Sequence, residues 1–395
     1  MHNLRGLHCS KIALLKDSSH KKMLTIADIA QAVASPYTVW RTLTDIKAEM
    51  HNGRPYYVAG NAAVSFRVEH RGQKMMLKCF TRPNPRLAAI YGNDFYAREL
   101  CVSDISGHNT MVDCLLTPYI EGRTLDEAIC HADDRATFSL LARSFDRLAL
   151  QILSSPRAHG DLKPENIIVG EDYSMRAIDW DAAFLPSLAG EQALEIGTAA
   201  YQHPARTTEL YDKHIDDYSI AMISTLLHLA AADPSTTSNY KTFHEPEAMP
   251  QDIIEGRTDW LTRSLDLLAE KGMAAEYRIA KMLTSPTPQL FDLKRILQFK
   301  FSTAEAADSP ITLDHELGLW GCRGENGWVV APLFDSGFEP MDGVMLATLG
   351  GYKHFVGAGN RIIASFPGDV IIKPLPKRQA RVTDHEGEHT IELGC

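Results

Sequence analysis

The chain has 395 residues, of which 45% are apolar and 23% are charged, proportions typical of a globular protein rather than a disordered one. This length predicts two or three domains. The net charge of −10, from 40 basic and 50 acidic residues, argues against nucleic acid as the main partner. The seven cysteines show no CxxC pair, so we expect a reducing compartment, with neither a disulfide framework nor a structural zinc site.

The first part of the chain shows no targeting or membrane signal. Nowhere does the sequence approach the ~18 consecutive apolar residues of a membrane-spanning helix. Residues 1–22 contain one short apolar run, residues 12–15, which is too short for the core of a secretory signal. We therefore interpret residues 1–22 as a disordered extension and expect a cytoplasmic protein without a membrane partner.

Apolar spacing divides the next part of the chain into a β-rich and a helical region. Residues 24–49 show helical spacing, which predicts one or two helices. Strands are predicted at residues 57–58, 64–68, 75–80 and 111–116, and a helix over residues 86–100. Helical patterns dominate from residue 125 to about 299. The prediction is an α+β fold, with helices and a β-rich region over residues 23–116 and a helical region over residues 117–300.

The remaining residues have a different texture. Residues 301–312 are small and polar and predict a linker. Residues 313–375 resemble a WG-type β-repeat, since Trp320 and Trp328 lie beside glycines, and a degenerate second copy carries Tyr352 where a tryptophan is expected. This module would either stabilise the helical region or bind a protein partner. Residues 376–395 are predicted to be a charged tail, in which His385 to His389 match a zinc-protease string by chance.

The most informative segment is residues 158–169. Asp161, Lys163 and Asn166 occur together directly before an apolar strand, and Asp179 ends the next apolar run. Phosphoryl transfer needs a carboxylate to orient the attacking hydroxyl, oxygen ligands for Mg²⁺ and a cation for the developing charge. These four residues supply such groups in a compact stretch of chain.

The segment is similar to the catalytic loop and metal-binding motif of the protein-kinase superfamily, and the resemblance covers roughly residues 50–300. It implies a bilobal fold, with a β-rich N-lobe and a helical C-lobe, that uses ATP and Mg²⁺. Asp161 would orient the substrate hydroxyl, and Lys163 would contact the transferred phosphate. Asn166 and Asp179 would hold the metal ion.

The resemblance also assigns residues of the β-rich region to the nucleotide. Lys78 matches the strand lysine that contacts the α- and β-phosphates, although an ordinary strand lysine stays an open interpretation. Glu99 matches the helix glutamate that pairs with that lysine, because no other glutamate lies between the two. Gly60 is the one glycine left of the three in the phosphate-covering loop. The backbone of residues 118–120 would bond adenine.

Within that adenine-binding segment, Thr117 would occupy the gatekeeper position, and Tyr119 and Ile120 would contribute their backbone groups. Further along, residues 197–204 are similar to the end of a kinase activation segment. There Thr198 matches the threonine that bonds near the catalytic aspartate and lysine. Asp216 matches the acid that anchors the catalytic-loop backbone.

The chain departs from the kinase pattern at several positions. Gly160 replaces the arginine that pairs with a phosphorylated activation loop, so we expect other regulation or none. Ala205 and Gln289 stand where a glutamate and an arginine form a salt bridge. Loss of both partners leaves no buried orphan charge, which favours a diverged but folded protein.

The sequence therefore predicts an ATP- and Mg²⁺-dependent serine/threonine protein kinase whose protein substrate is not identified. Two alternatives stay open. The His-Gly-Asp and Ile-Asp-Trp-Asp strings, at residues 159–161 and 178–181, are also typical of small-molecule phosphotransferases such as aminoglycoside and choline kinases. The poor glycine loop favours a pseudokinase that acts as a scaffold.

Overall fold

The computed structural model describes residues 24–35, 37–303 and 310–394. The predicted disordered extension, residues 1–22, and the centre of the predicted linker, residues 304–309, lie outside this range. The described residues form a mixed α+β structure with 32% helix and 31% strand. The chain divides into two compact units, Met1–Glu121 and Gly122–Cys395. Within the described residues, no helix has the length and apolar character needed to cross a membrane.

The first unit is built on an antiparallel sheet of six strands. Its elements are α1 (Ile26–Ala34), β1 (Ile46–Ala48), β2 (Met50–His51), β3 (Arg54–Pro55), β4 (Tyr57–Ala59), β5 (Ala63–His70), β6 (Gln73–Phe80), α2 (Leu87–Tyr91), β7 (Phe95–Ser103) and β8 (Asn109–Pro118). The strand order is β1-β5-β6-β8-β7, and β4 pairs with β5. The strands predicted at residues 57–58, 64–68, 75–80 and 111–116 are thus confirmed.

Helix α1 covers one face of this sheet. A capping box between Thr25 and Asp28 begins the helix and satisfies its first backbone N–H groups. Ile29 and Val33 are buried in one apolar cluster with residues of β5, β6, β7 and β8. The second helix that the sequence allowed within residues 24–49 does not form in the described residues of that range. Instead, Trp40 forms an isolated antiparallel β-bridge with Leu100 of β7. Hydrogen bonding to the sheet here overrides the helical preference that the apolar spacing indicates.

The helix predicted over residues 86–100 is confirmed for Leu87–Tyr91 and wrong beyond them. Helix α2 ends after Tyr91, at Gly92 with a φ of +57°, and a 3₁₀ turn leads directly into β7. Phe95 then pairs with Leu115 of β8, and Leu100 pairs with Val112. This pairing with a distant segment is invisible to the local spacing on which the helix prediction rested.

The described part of the second unit has a helical portion followed by β-sheets. Its elements are β9 (Arg123–Thr124), α3 (Leu125–His131), α4 (Arg135–Ser154), β10 (Ile167–Val169), β11 (Met175–Ala177), α5 (Asp217–Ala232), α6 (Ser238–Phe243), α7 (Pro250–Ile254), α8 (Trp260–Glu270), α9 (Ala274–Lys281), α10 (Leu293–Phe299), β12 (Thr312–Glu316), β13 (Leu319–Gly324), β14 (Gly327–Phe334), β15 (Ser336–Gly337), β16 (Met345–Leu349), β17 (Tyr352–Gly357), β18 (Arg361–Pro367), β19 (Ile371–Leu375), β20 (Gln379–Asp384) and β21 (Gly387–Glu392). The predicted helical dominance from residue 125 to about 299 is confirmed.

Helix α5 forms the centre of the helical portion. It is buried around almost its whole circumference, which is typical of a helix inside a core rather than on a surface. Helix α4 packs along it and contributes Phe138, Leu141 and Phe145, each with 0% exposure, to the same cluster. The short strands β10 and β11, which follow the candidate site, contribute Ile167, Val169 and Met175 to the same cluster.

Four ionisable residues, two of them buried and two largely buried, connect these helices. The Asp146 carboxylate of α4 lies 2.9 Å from Nε2 of His228 on α5. Lys300 contacts Asp146, and its ammonium lies 2.7 Å from the Glu276 carboxylate of α9. Burial alone would raise the pKa of both carboxyl groups, but the nearby cations outweigh it and hold each pKa below its usual value. The cluster therefore stabilises the fold in its charged form.

Replacing Lys300 with methionine should destabilise the protein by about 3–5 kcal/mol, because Asp146 and Glu276 would be left as buried charges without this cation. The loss should be largest at neutral pH and shrink as the pH falls, because burial without the Lys300 cation raises the pKa of both carboxyl groups in the variant and they then take up protons. Urea unfolding at a series of pH values measures this loss of stability. Lys271→Met is the control, since its ammonium pairs with Glu270 at 2.8 Å on the surface and should matter by less than about 1 kcal/mol. Equal losses of stability in Lys300→Met and Lys271→Met would contradict the stabilising role of this cluster.

The C-terminal strands form three antiparallel sheets, β12-β13-β14, β15-β16-β17-β18 and β19-β20-β21. Trp328 and Val330 belong to the same apolar cluster as the helices, and the rings of Trp328 and Phe299 are 6.4 Å apart. Arg278 of α9 donates to the Leu333 carbonyl at 2.8 Å and to Asp335 at 2.8 Å. One face of this β region is therefore part of the core of the second unit, while a role in partner binding stays a prediction.

The predicted charged tail is wrong for most of its length. Residues 379–392 form the hairpin β20–β21, in which Ala380 and Val382 are fully buried. His385 lies in the turn and His389 in a strand, so the zinc-protease string is not helical and the chance interpretation is supported. In β20 the buried Ala380 and Val382 alternate with polar residues, a pattern which the overall charge of the segment concealed.

Candidate active site

The predicted catalytic residues of the second unit come together around a tight loop between buried segments. Ala158 and Leu162 are fully buried and fix the loop on the core. A 3₁₀ turn, Pro164–Asn166, begins with proline, whose fixed φ favours such a start, and passes directly into β10. The apolar residues thus position the backbone and leave the polar side chains between them for chemistry.

Asp161 is held by its surroundings in a defined orientation. Its Oδ1 accepts a hydrogen bond from the backbone N–H of Thr198 at 2.7 Å, and its backbone carbonyl accepts from the Asn166 side chain at 2.8 Å. The side chain is 22% exposed. Its second oxygen, Oδ2, makes a long contact of 3.5 Å with Nδ2 of Asn166. A carboxylate held in this way and partly open to solvent can accept a proton from a hydroxyl group brought to it.

Lys163 brings a positive charge to the same point. Its Nζ donates to Oγ1 of Thr198 at 3.0 Å and lies 3.6 Å from Oδ2 of Asp161. Thr198 therefore joins both residues, one through its backbone and one through its hydroxyl. The predicted contact of Thr198 with the aspartate and the lysine is confirmed.

Two glycines allow this close approach. Gly197 has a φ of +89°, and a Cβ there would lie 2.8 Å from the Gly160 carbonyl and 2.9 Å from Asp161. Gly160 has a φ of +87°, and a Cβ there would lie 2.2 Å from the Ala182 carbonyl oxygen. Any other residue at either position would combine an unfavourable backbone conformation with a steric overlap.

Two buried charged residues, an aspartate and an arginine, anchor the loop backbone. Asp216 accepts hydrogen bonds from the N–H groups of His159 and Gly160, the latter at 2.8 Å, as the sequence predicted for an anchoring acid. Arg206 donates to the Gly160 carbonyl at 3.0 Å and is 5% exposed. Burial lowers the pKa of this guanidinium, and the charge of Asp216 opposes that effect. Sequence reasoning missed Arg206, because nothing in its immediate neighbours indicates burial.

His159 is a structural residue of the loop. Its Nε2 faces the Ile178 carbonyl at 2.7 Å, so this nitrogen must carry the proton, and Nδ1 accepts from the Asp161 N–H at 3.3 Å. Its ring also lies 4.8 Å from the Trp180 ring. The residue therefore joins the loop to the segment that carries Asp179.

The two predicted metal ligands are held on adjacent backbone segments. The Ile178 N–H donates to the Asn166 carbonyl at 2.8 Å, which brings Asp179 beside Asn166. Asp179 has a φ of +64°, an uncommon conformation for a non-glycine residue that is often found at functional sites. Since Nδ2 of Asn166 donates to Asp161, the amide oxygen is its ligand atom. An amide oxygen and a carboxylate are donors that suit Mg²⁺.

In the first unit, Lys78 lies on β6 directly between Ser65 of β5 and Leu115 of β8. Its neighbours Leu77 and Cys79 belong to the cluster under α1, so Lys78 points to the opposite face of the sheet. Gly60 lies in the tight turn between β4 and β5, where its N–H donates to the Ala63 carbonyl at 2.9 Å. These placements agree with a strand lysine and a hairpin glycine, while nucleotide binding by either stays a prediction.

Glu99 does not have the setting that was predicted for it. It lies in strand β7 rather than on a helix, and it is 1% exposed. Its carboxylate accepts from the N–H of Thr42 at 2.7 Å, from the Thr42 hydroxyl at 2.7 Å and from the N–H of Leu43 at 2.6 Å. Leu43 belongs to the cluster under α1, on the face opposite to Lys78. The carboxylate is therefore a buried acceptor for a loop, and its assignment as the helix partner of Lys78 is withdrawn.

The segment predicted to bond adenine is the end of β8 and the residues after it. Thr117 pairs with Met76 in the sheet. The Tyr119 N–H donates to the Lys74 carbonyl at 3.1 Å. Pro118 has no N–H, so among residues 118–120 the Ile120 N–H is the donor that would be left for a ligand. Fewer backbone N–H donors are therefore available to adenine than the sequence predicted, and adenine binding by these residues stays a prediction.

The predicted loss of a salt bridge agrees with the local contacts. The Ala205 N–H donates to Nδ1 of His203 at 3.0 Å, and Nε2 of Gln289 donates to Asp212 at 2.7 Å. Neither Ala205 nor Gln289 carries a charge, so neither position leaves a buried charge without a partner.

Comparison with known proteins gave no match: no family model fits the chain, and no curated protein matches it.

Proposed function

We propose that the protein is an ATP- and Mg²⁺-dependent phosphotransferase of the protein-kinase superfamily, with a bilobal kinase fold, that transfers the γ-phosphate to a serine or threonine hydroxyl of another protein. The convergence of Asp161, Lys163 and Thr198 carries the proposal, because it supplies an oriented base and a cation at one point. The glycines that permit this contact and the acid that anchors the loop add support.

In the proposed reaction, the acceptor hydroxyl oxygen forms a bond to the γ-phosphorus. The bond from that phosphorus to the bridging oxygen breaks, and its electron pair leaves with ADP. The hydroxyl proton passes to the Asp161 carboxylate, and Lys163 offsets the charge on the transferred group. Mg²⁺, when bound, neutralises phosphate charge, and Asn166 with Asp179 would hold it.

A protein acceptor is favoured over a small molecule by the segment around Thr198. This residue connects residues 197–204 directly to the aspartate and the lysine. A segment coupled in this way to the catalytic loop is similar to the platform on which protein kinases bind their substrates. Small-molecule phosphotransferases share the strings at residues 159–161 and 178–181, so the acceptor class needs a direct test.

The test supplies purified full-length protein with γ-labelled ATP and Mg²⁺ and offers three acceptors separately: a generic protein substrate, an aminoglycoside and choline. Label on the protein substrate is the expected result. Label on a small molecule instead would overturn the acceptor class but retain phosphoryl transfer. Failure to label any acceptor, or the protein itself, would contradict the proposed activity.

A scaffold without catalysis is the second candidate, and the first unit carries the observations that favour it. Gly60 alone remains of the glycine loop, and Glu99 lies on a strand with its carboxylate bonded to Thr42 and Leu43. If ATP binds but no acceptor is labelled, this candidate is preferred. Replacement of Lys78 by methionine should then weaken ATP binding, since its charge would contact phosphate in either case.

A further inference from the structure

A cluster of potential metal ligands lies in the second unit, outside the candidate active site. Asp126 and Cys130 are one helical turn apart on α3 and therefore share a face. His244 follows α6 in the left-handed conformation, with a φ of +57°, and faces the same point. One donor atom from each of the three residues lies within 4.8 Å of the other two.

The distances among these donor atoms suit a tetrahedral ion. Nδ1 of His244 lies 3.0 Å from each carboxylate oxygen of Asp126, and Sγ of Cys130 lies 3.7 Å from the same nitrogen. Ideal tetrahedral zinc would place its sulfur and nitrogen ligands about 3.5 Å apart and its nitrogen and oxygen ligands about 3.3 Å apart. These two separations lie within a few tenths of an ångström of the ideal values, and the Cys130 sulfur and an Asp126 carboxylate oxygen lie within 4.8 Å of each other.

The surroundings also suit a bound ion. The Tyr240 hydroxyl donates to Oδ1 of Asp126 at 3.0 Å, which orients the carboxylate as an outer-shell partner would. The Asp126 side chain is 12% exposed, whereas that of His244 is 54% exposed, so the cluster has a buried base and an open side. An ion could enter from that side, and water could complete its coordination.

We propose that Asp126, Cys130 and His244 bind a zinc ion that connects α3 to the end of α6. The thiolate and imidazole select a borderline-soft ion such as Zn²⁺ over Mg²⁺. The simpler alternative is a proton on Nδ1, which would give an ion pair with Asp126 and leave the thiol unused. The sequence did not indicate the site, because the three ligands follow no zinc-motif spacing.

The inference goes beyond the proposed function and does not depend on it. Helix α3 packs against the turn that carries Asn166, so a zinc ion would hold a neighbour of the candidate active site in place. The ion would be structural, since none of its ligands belongs to the catalytic set. Its test therefore uses spectra and affinity instead of phosphoryl transfer.

The experiment titrates metal-free, reduced full-length protein with Co²⁺ in excess Mg²⁺, which keeps oxygen-only sites occupied. Cobalt bound to a thiolate gives a charge-transfer absorption in the near ultraviolet. We expect one cobalt ion per chain with this absorption and its displacement by Zn²⁺. Cys130→Ser should abolish the absorption, and His244→Ala should weaken Co²⁺ binding at least about tenfold. Cys101→Ser, a half-buried cysteine of the first unit, is the matched control and should change neither.

Circular dichroism of each variant establishes that it is folded before titration. His244 is an exposed position, so its variant provides a test if Cys130→Ser fails to fold. A wild-type protein without the charge-transfer absorption would overturn the proposal. So would an absorption that persists unchanged in both Cys130→Ser and His244→Ala, because other cysteines would then supply the thiolate.

Discussion

Replacing Asp161 with asparagine is expected to lower the rate of phosphoryl transfer about 10³-fold, equivalent to about 4 kcal/mol of transition-state stabilisation. Asparagine can still accept the hydrogen bond from the Thr198 N–H that Asp161 accepts at 2.7 Å, so the loop should keep its shape. It cannot accept the hydroxyl proton, and it leaves Lys163 without the carboxylate 3.6 Å away. Steady-state kinetics with saturating ATP measure the loss, and thermal unfolding checks the fold.

The control for this variant is Asp172→Asn, in the same unit. Asp172 accepts the Ser174 N–H at 2.9 Å in an exposed turn and has no role in the proposed chemistry. Its activity should stay within about twofold of the wild type, because a surface substitution changes stability by only ~0.5 kcal/mol. If Asp161→Asn retains full activity while it is folded, Asp161 is not the base.

Replacing Gly160 with alanine should give the largest stability loss of any single methyl group added to the loop. The φ of +87° costs a non-glycine residue about 1–2 kcal/mol, and overlap of Cβ with the Ala182 carbonyl at 2.2 Å adds about 1–3 kcal/mol. Displacement of the loop would also disturb the Gly160 carbonyl that Arg206 bonds and cost about 10²-fold in activity. Urea unfolding measures the loss of stability, and steady-state kinetics measure the loss of activity.

Gly190→Ala separates the two causes. Gly190 has the same φ of +87°, but a Cβ there would meet no heavy atom within 4 Å. It should therefore show the backbone cost of about 1–2 kcal/mol without the overlap and should keep normal activity. Equal losses for Gly160→Ala and Gly190→Ala would mean that the contact with Ala182 is not important.

Short-range patterns in the sequence were sufficient to predict the loop of the candidate active site. Asp161, Lys163 and Asn166 lie within a few residues of each other, and the apolar strand that follows them fixes their place on the core. Thr198 was predicted from a second local motif, and its contacts with Asp161 and Lys163 are present. Such segments can be predicted because their geometry depends on neighbours in the chain.

Glu99 shows why other parts could not be predicted. It was assigned as the one glutamate in a predicted helix, but pairing of residues 95–103 with β8 turns this segment into a strand. The decisive partners, Thr42 and Leu43, lie more than fifty residues away in the chain. Arg206 was missed for the same reason, since its contact with Gly160 is distant in sequence.

The hairpin of residues 379–392 was missed although a local signal existed. Ala380 and Val382 alternate with polar residues, which is the pattern of a half-buried strand. The high charge of the segment suggested a frayed tail, yet the charged side chains lie on the exposed face. The alternation of apolar and polar residues predicts the strand better than the overall charge does, because it indicates which face of the strand is buried.

The most direct test of the proposed activity compares the wild type with Asp179→Asn for Mg²⁺-dependent transfer of label from γ-labelled ATP to a generic protein substrate. Asparagine removes the charge of the proposed metal ligand beside Asn166. The proposed activity predicts labelled protein with the wild type and almost none with Asp179→Asn, together with a thermal shift of the wild type on addition of ATP and Mg²⁺. No label and no thermal shift with the wild type would contradict it.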